Sequence, residues 1–161
     1  MKKKSGVIKL ITSLVFGLLA GGCISSYFKN RIIQQENKKI SKFKNYYYLL
    51  NKWLSLKNEG IDIKTYFTQN NIKTIAIYGM GELGDRLYEE LLKSNITVKY
   101  GIDKNAGSTF SELEVYDLDS ELPEVDAIVV TAVFAFDDIK EELNNRVDYP
   151  VISLESVIFE F

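Results

Sequence analysis

An α/β fold built on an open parallel sheet of four to five strands is what this chain predicts, and three observations predict it. Residues 72–103, IKTIAIYGMGELGDRLYEELLKSNITVKYGID, run an apolar strand into a glycine-rich turn, then an amphipathic helix, then a second strand that ends in an acid. Residues 127–132, AIVVTA, form an unbroken apolar run rich in β-branched side chains, as a strand buried on both faces requires. From residue 61 onward strand-like and helix-like stretches alternate, which makes parallel connections the economical topology.

The first nine residues are basic, with Lys2, Lys3, Lys4 and Lys9. Between Lys9 and Lys29 lie 19 residues without a charge, LITSLVFGLLAGGCISSYF. As a helix they would extend about 28 Å, close to the hydrocarbon thickness of a bilayer. Residues 10–28 are therefore expected to form one transmembrane helix. The basic residues that follow, from Lys29 to Lys44, outnumber those ahead of it and place the C-terminal part on the cytoplasmic side of a cell membrane. An alternative is a lipoprotein: Leu19-Ala20-Gly21-Gly22-Cys23 follows a basic and an apolar stretch as a lipid-attachment site would, with Cys23 as the anchor. Cys23 is the single cysteine of the chain, so no internal disulfide is available.

Residues 29–60 read as a juxtamembrane connector helix, free of proline and of glycine until Gly60. Ile33, Ile40, Tyr47 and Leu54 recur every seven residues, and Phe43 and Leu50 fall on the same face. Glu36 and Lys57 interrupt that face at its two ends. The aromatic half of this helix, with Tyr46, Tyr47, Tyr48 and Trp53, is expected to pack on the following domain or on a partner.

Residues 61–161 make up the α/β domain. One short helix is expected within 61–71, ahead of the first strand with Ile75, Ala76 and Ile77. The turn Gly79-Met80-Gly81-Glu82-Leu83-Gly84 then has the G-x-G-x-x-G spacing of a Rossmann-like dinucleotide site. Gly79 permits the tight turn, Gly81 clears a path for a phosphate, and Gly84 allows close packing of helix on strand. Leu83, Leu87, Leu91 and Leu92 follow at helical spacing, and the helix start directs its amides and positive dipole end toward a ligand. Asp103, 19 residues past Gly84, stands where such folds hold a ribose hydroxyl, and Lys104 beside it suits an extra phosphate. Glu82 and Asp85 oppose a pyrophosphate unless Arg86 or Lys104 offsets them. Beyond a polar loop at 104–109, a short strand is expected at 113–116, a turn at Pro123, a helix at 137–145, and a last strand at 151–154 before a C-terminal helical turn. The ligand crevice is expected where 79–84 meets Thr131 to Val133.

The run from Ile75 to Asn105, with Tyr78-Gly79-Met80-Gly81-Glu82-Leu83-Gly84 and Tyr100-Gly101-Ile102-Asp103-Lys104, resembles the N-terminal nucleotide-binding domain at the front of bacterial polysaccharide-biosynthesis proteins, the membrane-bound nucleotide-sugar epimerases and dehydratases and the sugar acyltransferases. It departs from that pattern at Met80, Ile102 and Lys104. The resemblance covers residues 72–161 and implies NAD(P), a nucleotide sugar or coenzyme A as ligand, but no counterpart of the family's catalytic half is present.

Other classes are excluded by what is lacking. The chain has no histidine, which removes a histidine base, a Ser-His-Asp triad and a histidine metal site, and one cysteine cannot build a thiolate zinc site. Tyr-x-x-x-Lys occurs at Tyr48–Lys52 and Tyr100–Lys104, neither on a helix downstream of the glycine turn where the working pair of short-chain dehydrogenases sits. Charge is segregated: residues 1–60 hold 12 Lys and Arg against 2 acids, and residues 61–161 hold 8 against 20, so the glycine turn lies in acidic surroundings unsuited to nucleic acid. The expectation is a noncatalytic, membrane-tethered nucleotide or nucleotide-sugar binding module that serves polysaccharide-synthesis proteins. The alternatives are a scaffold whose Rossmann-like fold is ligand-dead, or a subunit completed by a catalytic partner chain.

Overall fold

Helix α1 runs from Lys2 to Asn58 in the computed structural model, which describes residues 2–106 and 112–161, with side chains from Phe28 on. No proline falls within it, and Gly60 stops it: at φ +74° this residue takes the left-handed conformation that glycine adopts freely. The amide of Gly60 donates to the Lys57 carbonyl at 3.1 Å and that of Ile61 to the Leu56 carbonyl at 2.8 Å, closing the helix end as a Schellman motif.

Two expectations about this region are corrected. The separate helices expected at 10–28 and 29–60 are joined in one, because nothing in the sequence between them breaks the hydrogen-bond ladder. Among the described residues no helix is long and apolar enough to cross a membrane, so the transmembrane helix expected at 10–28, with the membrane tether, the membrane as a partner and the single-pass cytoplasmic placement, is set aside; the side chains of that segment, Phe28 excepted, lie outside the described residues. The side chains of 1–27, including Cys23 of the lipoprotein alternative, lie outside the described residues.

The chain divides into two units, Met1–Asn45 and Tyr46–Phe161. In the first, the described apolar side chains Phe28, Ile32, Ile33, Ile40 and Phe43 are all more than half exposed. The second opens with the last three turns of α1, followed by α2 (Lys64–Gln69), β1 (Thr74–Tyr78), α3 (Glu82–Leu91), β2 (Thr97–Ile102), β3 (Val115–Tyr116), β4 (Ala127–Val130), a 3₁₀ turn (Val133–Ala135), α4 (Phe136–Asn144), β5 (Val151–Ser153) and α5 (Leu154–Phe159).

All strands are parallel, in the order β3-β2-β1-β4-β5, with helices on both faces: a Rossmann-like sheet. Alternation along the strands sorts the core into two layers. Ile75, Ile77 and Val129 face the layer formed with Leu49, Trp53 and Leu56 of α1, Phe67 of α2, Leu83, Leu87 and Leu91 of α3, and Val157 and Ile158 of α5. Ala76, Tyr78, Ile128 and Val130 face the other, with Tyr100 and Ile102 of β2 and Ile139 and Leu143 of α4. Leu92 lies just past the end of α3 and is exposed. The order reverses between β1 and β4, so the loops leaving those two strands flank the crevice of such folds.

Candidate functional site

Strand β1 delivers the chain to Gly79, whose φ of +93° is a left-handed conformation that a side chain would strain. A Cβ there would also come within 2.8 Å of Thr131 Oγ1. The two loops are laced together at this point. The Gly79 amide donates to the Ile102 carbonyl at 2.8 Å, and Thr131 N donates to the Tyr78 carbonyl at 2.9 Å. Thr131 Oγ1 lies 2.6 Å from the Gly79 carbonyl oxygen and 3.1 Å from that of Tyr78. This buried hydroxyl has one proton and two internal acceptors, so it holds the loops and presents no donor outward.

Met80 and Asp103 are joined in the same way. The Met80 amide donates to Asp103 Oδ2 at 2.9 Å, and the Asn105 amide donates to Asp103 Oδ1 at 2.8 Å. Both oxygens of the carboxylate expected to hold a ribose thus accept from the protein's own backbone. The Met80 side chain is buried and packs on Gly101, where an added Cβ would meet its Cγ at 2.7 Å and its Sδ at 2.9 Å. At Gly84 an added Cβ would run into the carbonyl of Gly79, so this glycine is a packing requirement. Gly81 differs from both: it is the exposed N-cap of α3, in extended backbone, and a Cβ there would meet nothing within 4 Å.

The charges around α3 do not favour a pyrophosphate. Glu82 and Asp85 are exposed in its first turn. Arg86 Nη1 is paired with Glu89 at 2.6 Å, and Lys104 Nζ faces Glu142 of α4 at 3.9 Å, so neither cation that could offset those acids is directed at them. Tyr46 of α1 meets Phe134 edge to face, with ring centroids 6.1 Å apart. Burial raises the Tyr46 phenol above its ordinary range, and the negative charge of Glu82 adds to the shift. Tyr78, the last residue of β1, is buried with its hydroxyl lacking a hydrogen-bond partner among the described residues. Burial, reinforced by the carboxylates of Glu142, Asp103 and Asp117, raises its pKa and keeps it neutral.

Of the residues singled out by sequence, Gly79 with Thr131 and Met80 with Asp103 are in direct contact, Leu83 is a core residue, Gly81 and Glu82 are exposed, and Lys104 stands apart, turned toward α4. No cluster of His, Cys, Asp and Glu among the described residues could hold a metal ion.

A second feature lies farther along α3. An open groove of 380 Å³ runs between Leu50, Trp53, Leu54 and Lys57 of α1 and Arg86, Glu89 and Glu90 of α3. Its floor is polar but satisfied. Trp53 Nε1 donates to Glu90 Oε2 at 2.8 Å, and Lys57 Nζ pairs with the same oxygen at 2.8 Å. Above that floor Leu50 and Leu54 are 44% and 57% exposed, and Tyr47, one turn before, is 64% exposed. Sequence reasoning named these aromatic and aliphatic residues without the groove. Leu49, Trp53 and Leu56, spaced four and three apart, were the available mark of the inward face.

No family model matches the chain, and neither a curated protein nor a solved structure is similar to it. The geometry therefore defines a class and no more: a Rossmann-like parallel sheet whose glycine loop is tied to its own neighbours.

Proposed function

We propose that this chain is an interaction protein, in which a Rossmann-like body with a ligand-dead glycine loop serves as the base for the exposed face of α1. The observation that carries this reading is the charge at the start of α3, where Glu82 and Asp85 lie exposed in the first turn while Arg86 is paired with Glu89 and Lys104 faces Glu142. A pyrophosphate would meet those two acids, and the Asp103 carboxylate, which accepts the backbone amides of Met80 and Asn105, offers a ribose only its remaining lone pairs. The resemblance of 72–161 to the front domain of polysaccharide-biosynthesis proteins supports the same reading, because that domain is one part of a larger assembly.

A second reading has one observation in its favour. The open space over Gly81 is what an approaching phosphate requires, so NAD(P) or a nucleotide sugar on Gly79 to Gly84 and Asp103 is the competing proposal. Calorimetric titration of the full chain with NAD, NADP, coenzyme A and a set of UDP- and GDP-sugars separates the two. Absence of heat from all of them is expected; saturable micromolar binding that Asp103→Ala abolishes would replace the interaction reading with the nucleotide one.

A further inference from the structure

Four charged side chains alternate in sign along one exposed face of α3. Glu82, Arg86, Glu89 and Lys93 are spaced four, three and four residues apart, which sets them in one row about 16 Å long. All four are exposed. Lys93 follows the last turn without leaving the row, because Leu92 keeps helical backbone at φ −52° and ψ −32° and its amide donates to the Tyr88 carbonyl at 3.0 Å. Among the described residues the row closes one internal ion pair, Arg86 Nη1 to Glu89 Oε2 at 2.6 Å. With its side chains 66% and 57% exposed, this pair is of the kind that contributes little and is readily exchanged. Reversed, the row carries the opposite sign at every position. It is therefore its own complement when run backwards, and a two-fold interface requires a surface with that property. Resting on the interaction reading above, we propose that this face of α3 binds a second copy of the chain, with the two α3 helices antiparallel.

The register follows from the same charges. With the two-fold axis passing between Leu87 and Tyr88, Glu82 of one copy falls opposite Lys93 of the second copy and Arg86 opposite its Glu89, so that every member of the row meets an opposite sign. A slide of one turn destroys the match, bringing Arg86 to Lys93 in one direction and Glu82 to Glu89 in the other. A parallel pair in register sets each charge against its like. The acids beside the row do not oppose the antiparallel pair. Glu90 is held by Trp53 and Lys57 on the groove side. Asp85, absent from the groove lining, comes within one turn of Lys93 of the second copy. An axis in this position crosses α3 toward α1, so the groove edges of the two copies face each other. Leu50 and Leu54, 44% and 57% exposed, meet their counterparts there. That apolar edge excludes water beside the charged row, which exposed ion pairs alone do not. Every residue involved belongs to the unit Tyr46–Phe161.

Sedimentation equilibrium of the full chain should give twice the monomer mass, with the association weakening as salt is raised. Arg86→Glu reverses the central pairs and should weaken the association by at least about tenfold, and Glu89→Arg should do the same. Both side chains are exposed, so each variant keeps its far-ultraviolet circular dichroism. Mixing the two variants in equal amounts restores opposite signs between copies, and the dimer should return. Placing both substitutions in one chain restores them as well and should give a dimer of that chain alone. A monomer at every concentration, or a dimer that Arg86→Glu leaves unchanged, overturns the proposal. Variants that stay monomeric both when mixed and when combined overturn the antiparallel register. A monomer that stays silent toward nucleotides removes the dimer alone. A dimer that binds NAD saturably removes the ligand-dead reading instead.

Discussion

The glycine loop and the α1–α3 groove lie along the same helix, α3, and they differ in what their polar groups do. At the loop, the Met80 amide, both Asp103 oxygens and the Thr131 hydroxyl are occupied inside the protein, and the nearby cations are paired elsewhere. At the groove, the Trp53–Glu90–Lys57 network is equally satisfied, but it forms the floor of an open channel edged by exposed Leu50 and Leu54. A glycine fingerprint records a backbone geometry. Binding requires donors and charge left over after that geometry is built; here the uncapped amides at the start of α3 stand beside Glu82 and Asp85, and the larger surplus is apolar surface on α1.

That comparison can be broken at several points. The largest effect is expected from Gly84→Ala, where the new methyl would meet the Gly79 carbonyl: a loss of about 3 kcal/mol or more in denaturant unfolding, because neither backbone can retreat. Trp53→Ala should cost about 3 kcal/mol by removing a buried ring and leaving Glu90 without its indole donor, while Trp53→Phe should cost about 1 kcal/mol. Leu54→Ala, one position along and exposed, should leave unfolding unchanged within about 0.5 kcal/mol.

Asp103→Ala is expected to cost about 1–2 kcal/mol, since the Met80 amide loses its acceptor at a part-buried site. Its counterpart at the other end of β1 is Asp126, whose Oδ2 accepts from the amides of Lys73 and Thr74 at 2.8 Å and 2.7 Å. Those bonds lower the Asp126 pKa from its ordinary 3.8. A carboxyl with a depressed folded pKa stabilises fully above its unfolded value and loses that contribution as pH falls through the folded one. Asp126→Asn should therefore lower the melting temperature at neutral pH and flatten its decline below about pH 4, where the wild-type staple is being protonated. The smallest effect belongs to Gly81→Ala, within about 0.5 kcal/mol, because the space above Gly81 is open.

Much of the fold was legible in the sequence because its strands and helices carry strong periodicity. The buried run 127–130, the amphipathic spacing of Leu83, Leu87 and Leu91, and the stop at Gly60 each correspond to an element or its end. Meeting of the loops after β1 and β4 was legible too, since alternation of strands with helices leads to a parallel sheet and its switch point. What stayed hidden was how the groups pair across long sequence distances. Nothing local indicates that Asp103 turns to Met80, or that Lys104 turns to Glu142, because each choice depends on the packed positions of β1, β2 and α4. The membrane-spanning expectation rested on residues 10–28, whose side chains up to Tyr27 lie outside the described residues, and among the described residues no helix is long and apolar enough to make a span.

The most direct test of the self-contained loop is amide hydrogen exchange of the full chain, followed at Met80 to Gly84 with and without NAD and UDP-sugars. The account predicts that the Met80 amide is protected in the unliganded protein, that Asp103→Ala removes this protection, and that nucleotides change nothing from Gly81 to Gly84. Fresh protection of Gly81 to Gly84 on adding a nucleotide would contradict it, because those are the amides a phosphate would occupy.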